Sequence, residues 1–205
     1  MPQGPAARIT DFVAHPLPPV LTGGPPAMTV LIGGLPAWKG LPLAAAAGLM
    51  SAKATSEAAL QATEATAMAA AATPGGPAAR AAAEAAKGAA AAAMGAAITA
   101  AAAGGTSIHA CLTPWPIPPH GPGVVIDGSP TVTIEYMPAC RLGDTILEAI
   151  GPPNKITMGC MTVIIGNQGS GSSVNVAPIA SAFRNAAASG TALVCKGPCE
   201  ACGHA

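Results

Sequence analysis

The residues best suited to chemistry are three histidines, His15, His109 and His120, each set among prolines and glycines, and six cysteines. Imidazole nitrogen and cysteine thiolate are donors that zinc accepts in tetrahedral geometry, and four protein ligands leave no position for water. The preferred thiolate is Cys160, which stands in the third copy of a short repeat where the second copy has Ser129. Cys111 competes with it, being two residues from His109, but that close spacing is expected to strain a shared site. Such a centre would be structural. A hydrolytic one needs an open metal position and a general base. Asp11, Asp127 and Asp144 are available carboxylates, yet Asp11 and Asp144 recur at equivalent places beside Arg8 and Arg141, which points to charge pairs that close the repeats. The terminal Cys195, Cys199, Cys202 and His204 have the short spacings of half a zinc knuckle; a flexible tail with free thiols is the alternative. Cys140 reads as a small packing residue.

The elements that must position these groups are short. Thr29–Ile32, Val124–Ile126, Thr131–Ile134 and Thr162–Ile165 are β-branched runs bounded by glycine and proline, which predicts brief strands joined by tight turns. Three of them are copies of one unit. Copies two and three begin at residues 131 and 162, 31 apart, whereas copies one and two begin at 29 and 131, 102 apart, an excess of about 71. The alanine-rich block from about Leu41 to Ser107 is nearly that long. Alanine has the highest helix propensity, so the block predicts two helices, Leu43–Ala72 and Ala78–Ala103, broken at Thr73-Pro74-Gly75-Gly76-Pro77. Arg80 and Glu84 have helical pairing distance.

Composition excludes several functions. The nine basic residues are scattered and balanced by nine acidic ones, so no stripe can neutralise nucleic-acid phosphates. Aromatic side chains number only five, Phe12, Trp38, Trp115, Tyr136 and Phe183, so any compact fold must be narrow. Residues 1–5 lack a charged region followed by an apolar one, which leaves synthesis in a reducing cytoplasm as the expectation and favours metal ligation over disulfides. Gly88–Ile108 is uncharged and long enough to cross a bilayer, but alanine contributes little to insertion.

Specific motifs recur in register. Pro5-Ala6-Ala7-Arg8 is followed by Asp11 and Pro138-Ala139-Cys140-Arg141 by Asp144; the middle unit is degraded to Pro36-Ala37-Trp38-Lys39. Gly128-Ser129-Pro130-Thr131-Val132 matches Gly159-Cys160-Met161-Thr162-Val163. Over residues 5–40 and 107–166 the chain resembles the PAAR-repeat family of spike-tip proteins. Pro77-Ala78-Ala79-Arg80, inside the alanine block, carries no weight in this.

The resemblance implies a mainly β fold: a small cone of three β-hairpin repeats with pseudo-threefold symmetry, discontinuous over 1–40 and 107–166. It would be interrupted by an alanine-rich helical hairpin, 41–106, and followed by a Gly/Ser linker and Cys-rich tail, 167–205. It implies a structural zinc near the vertex, held by three histidines and one cysteine, for which the matching positions are His15, His109, His120 and Cys160. A tapering tip has little volume for an apolar core, and a metal commonly replaces one. The implied role is that of a non-enzymatic cap on a trimeric VgrG-type spike of a type VI secretion-like contractile machine, made in the bacterial cytoplasm and delivered with the spike into a target cell. Residues 41–106 would then dock an effector or adaptor, or touch the target membrane in passing. The alternatives are a membrane-interacting effector or effector carrier acting through the alanine-rich hairpin and, behind it, a zinc-dependent hydrolase.

Overall fold

A computed structural model describes residues 3–114 and 119–166. The expected linker and the motif Cys195 to His204 lie outside the described residues. In chain order the elements are β1 (Gly4–Ala6), β2 (Gly23–Gly24), β3 (Leu31–Ile32), β4 (Leu35–Pro36), α1 (Leu43–Ala70), α2 (Gly76–Ala102), β5 (Ile108–Pro114), β6 (Pro119–Val125), β7 (Thr133–Ile134), β8 (Met137–Pro138), β9 (Thr145–Glu148), β10 (Asn154–Lys155) and β11 (Cys160–Ile165).

The three Pro-Ala strips meet in a closed cycle. The Ala7 N–H donates to the Cys140 carbonyl at 2.8 Å, the Cys140 N–H to Trp38 at 3.2 Å, and the Trp38 N–H back to Ala7 at 2.9 Å. A second cycle runs beside it, from Ile9 to the Pro36 carbonyl (3.0 Å), Gly40 to Pro138 (2.7 Å) and Leu142 to Pro5 (2.8 Å). Proline lacks an N–H but keeps its carbonyl. Each strip therefore opens on a residue that only accepts, and all three prolines are used as acceptors. Ala7, Trp38 and Cys140 are wholly buried in one core with Val13, Leu21, Val125, Ile146 and Ile156. Two small residues and one indole fill the space that three equivalent strips share.

Each strip continues from a β-hairpin. In β3–β4 the two turn residues, Gly33 and Gly34, have φ of 58° and 82°; in β7–β8 they are Glu135 and Tyr136 with φ of 51° and 66°. Two consecutive positive φ values are what a two-residue hairpin turn needs to follow the strand twist. The third hairpin joins distant parts of the chain, β1 pairing antiparallel with β11. A five-stranded antiparallel sheet, in the order β10-β9-β6-β5-β2, completes the β portion.

The degraded middle repeat is repaired from outside. Where its siblings have Asp11 and Asp144, this strip has Pro42, and buried Lys39 instead meets Glu135 Oε2 at 2.6 Å. Lys39, with the Thr29 and Met28 N–H groups, holds the Glu135 carboxyl down at about 2. The sibling pairs form as their recurrence suggests: Arg8 and Arg141 each direct backbone and guanidinium N–H groups to the aspartate three residues on.

Among the described residues the fold is mixed rather than mainly β, 34% helical and 30% strand. The correction follows from element lengths, since the strands run two to seven residues while α1 and α2 have 28 and 27. α2 starts earlier than propensity predicts because Pro77 fits its first turn, where an N–H has no helical partner anyway. Glu84 pairs with Lys87, which also reaches Glu64 on α1 at 2.8 Å. The inner ends of both helices pack on the sheet: Leu41, Ala46 and Leu49 from one side and Met94, Ile98 and Ala102 from the other enclose Val124, Leu147 and Ala149. α2 is long and apolar enough to cross a membrane by length and composition, but this inner end is docked on the sheet.

Candidate metal centre

Antiparallel pairing lays the donors out in rows. His109 of β5 faces Gly123 of β6, which faces Glu148 of β9, so these three share one face of the sheet. Cys111, two residues along β5, lies on that same face opposite Gly121. Gly123 leaves the space the row needs; a Cβ there would come within 2.9 Å of Glu148 Cγ. Gly121 takes φ of 80° near a break in the β5–β6 register, and bulges of this kind re-aim a neighbouring side chain, here His120. His15 arrives from the loop after β1, its N–H donating to Asn154 Oδ1 at 3.0 Å.

His15, Cys111, His120 and Glu148 place one ligand atom each within 4.8 Å of one another, and this cluster could hold a metal ion. The Nδ1 atoms of His15 and His120 are 3.2 Å apart, and Cys111 Sγ is 3.6 Å from His15 Nδ1. Bonds of about 2.0 Å to nitrogen and 2.3 Å to sulfur in a tetrahedron imply edges of roughly 3.3 to 3.5 Å, which these two separations approach. Glu148 bridges the set, with Oε2 3.0 Å from His15 Nδ1 and 2.5 Å from His120 Nδ1. Asn154 Nδ2 holds the other oxygen at 3.0 Å, which makes Asn154 the outer support of both His15 and Glu148.

His109 stands alongside. Its Nδ1 accepts from the Thr22 N–H at 3.4 Å, while its buried Nε2 has no hydrogen-bond partner among the described residues. Burial lowers its pKa, opposed by the charge on Glu148, and so keeps the imidazole in the neutral form that binds metals. Burial raises the Cys111 thiol, and Glu148 adds to the rise, so an incoming cation would have to displace that proton.

Of the four expected ligands, the structure brings His15 and His120 into contact and places His109 beside them. Cys160 it puts elsewhere: paired with Ala6, its Sγ is 3.2 Å from Thr162 Oγ1 and close to where a Gly33 Cβ would be. There the Thr162 hydroxyl and N–H, with Arg8, lower its pKa. The thiol in the cluster is Cys111. His109 and Cys111, residues i and i+2 of β5, project from one face, but the cluster takes Cys111 without His109, so the two are not brought into a shared site. Glu148 was missed by sequence reasoning, although a carboxylate inside Ile146-Leu147-Glu148-Ala149-Ile150 is the kind of buried charge that needs partners. Of the three aspartates, Asp11 and Asp144 serve their arginines and Asp127 accepts the Thr145 N–H at 2.6 Å.

No protein-family model, curated protein or solved structure matches the chain.

Proposed function

We propose that the protein is a zinc-fastened, non-enzymatic tip that caps the trimeric VgrG-type spike of a contractile injection machine and leaves the producing bacterium with it. The observation that carries this reading is the double cycle of backbone hydrogen bonds through Ala7, Trp38 and Cys140 and through the three prolines. A single chain with a threefold hydrogen-bond pattern is suited to sit on a threefold axis. The hairpins around that cycle also expose large apolar side chains at equivalent places. Met28 and Met161 correspond, as do Leu31 and Ile164, at the offset that separates Arg8 from Arg141, and all four are more than half exposed. Exposed apolar groups beside short strand edges are what sheet extension onto a partner uses.

Zinc suits the donor set, two imidazoles, a thiolate and a carboxylate with a third imidazole adjacent. Glu148 is enclosed and occupied by His15, His120 and Asn154, which makes it a ligand or orienting group rather than a base facing a substrate.

A second role belongs to the outer half of the helical hairpin. Beyond Lys53, α1 buries only Ala67, and before Met94, α2 buries only Gly76 and Ala83. Some 17 residues of helix, roughly 25 Å, thus extend past the sheet contact. On this reading they carry an effector or adaptor, or meet the target membrane.

The test is co-purification with a trimeric VgrG-type spike. Wild type is expected to be retained, and a Met161→Asp, Ile164→Asp double variant, folded by circular dichroism, to be lost at least tenfold. Equal retention of the double variant would remove this face from the interface.

A further inference from the structure

Lys53 is the one charged residue of the helical insertion that is buried against the β portion, and it goes to the strand that carries Glu148. Its Nζ donates to the Glu148 carbonyl at 2.8 Å and to the Gly151 carbonyl at 2.7 Å, and lies 3.7 Å from Glu57. An ammonium has three donors, and here three oxygens surround it. A lysine almost fully withdrawn from water is unfavourable unless its head group is satisfied in this way.

The two carbonyls bracket a segment that frames the metal cluster from both sides. At one end the Glu148 side chain bridges His15 and His120. At the other, the Gly151 backbone presses on the His120 ring: a Cβ at Gly151 would lie 2.6 Å from Nε2. Between them the Ile150 N–H donates to the His120 carbonyl at 3.3 Å. Fixing both carbonyls to one Nζ fixes the distance between the bridging carboxylate and the wall behind the imidazole.

We infer that Lys53 is a positioning residue of the metal centre, so that the inner end of the helical insertion belongs to that centre and is not an appendage beside it. The inference rests on the metal reading given above. It adds that the insertion sets how tightly the ion is held. A group that supports ligands from outside typically changes metal affinity by about 10–100-fold when removed.

The experiment compares zinc affinity, by competition with a chromophoric chelator, in wild type, Lys53→Met and Lys87→Met. Among the described residues Lys87 pairs with Glu64 and Glu84 on the hairpin, and it serves as the control. Lys53→Met is expected to bind zinc about 10–100-fold more weakly with helical content unchanged, since Ala46, Leu49, Met94 and Ile98 still anchor the helices. The cobalt-loaded variant should show an altered visible spectrum, reporting a changed ligand field, while Lys87→Met matches wild type in both measurements. Wild-type affinity and spectrum in Lys53→Met would overturn the role of Lys53 and leave the metal centre standing. Loss of helix in Lys53→Met would overturn it too, by making Lys53 a general fold residue. A wild-type protein that binds no zinc would overturn the metal reading itself.

Discussion

Stripping zinc from the purified protein with a strong chelator is expected to lower its thermal midpoint sharply, and adding zinc back to restore it. Structural zinc contributes on the order of 10 kcal/mol in small metal-dependent folds, which is comparable with the entire net stability of a domain. The arrangement around Glu148 explains why the dependence should be strong. A wholly buried carboxylate, two imidazoles in contact with it and a buried thiol converge on one small volume. A cation satisfies these groups together; water has little access. The loop bearing His15 should loosen first, because Asn154 and the cluster tie it down. A midpoint indifferent to chelator would show that the donors need no ion.

Trp38→Ala is expected to cost about 3–5 kcal/mol, read from the shift in denaturant unfolding, as for other large-to-small changes in a packed core. Trp38 is completely buried, and its strip partners Ala7 and Cys140 are too small to close the space it would leave. Its indole N–H has no hydrogen-bond partner among the described residues, so Trp38→Phe should recover most of the loss. A cost below about 1 kcal/mol for the alanine variant would mean that the three strips can collapse together, contrary to the rigid double cycle.

The repeat register was legible because it is written in residues whose backbone properties do the work. Proline at the head of each strip, the 31-residue period and the Arg–Asp spacing marked the three strips before any coordinates did. The two helices were equally plain, alanine being unambiguous over such lengths. What the sequence did not disclose depends on contacts between distant segments. Nothing local announces that β1 closes on β11, or that Lys39, having lost its aspartate, takes Glu135 from a neighbouring turn. The site was half legible. Three histidines stood out by type and setting, and His15 and His120 stand in the cluster; its thiol is Cys111 and not Cys160, because the pairing of β5 with distant segments, which no local motif announces, brings Cys111 to His15. Glu148 was hidden by an apolar run that reads as an ordinary buried strand, and Lys53 by an alanine-rich helix whose charges read as solvated.

The most direct measurement is zinc content together with the cobalt-substituted absorption spectrum of Cys111→Ser and Cys160→Ser. One ion per chain is expected in wild type. Cys160→Ser should keep it, along with the intense thiolate-to-cobalt charge-transfer band, whereas Cys111→Ser should lose that band and bind zinc far more weakly. Loss of the band in Cys160→Ser with its retention in Cys111→Ser would contradict the centre built on His15, Cys111, His120 and Glu148.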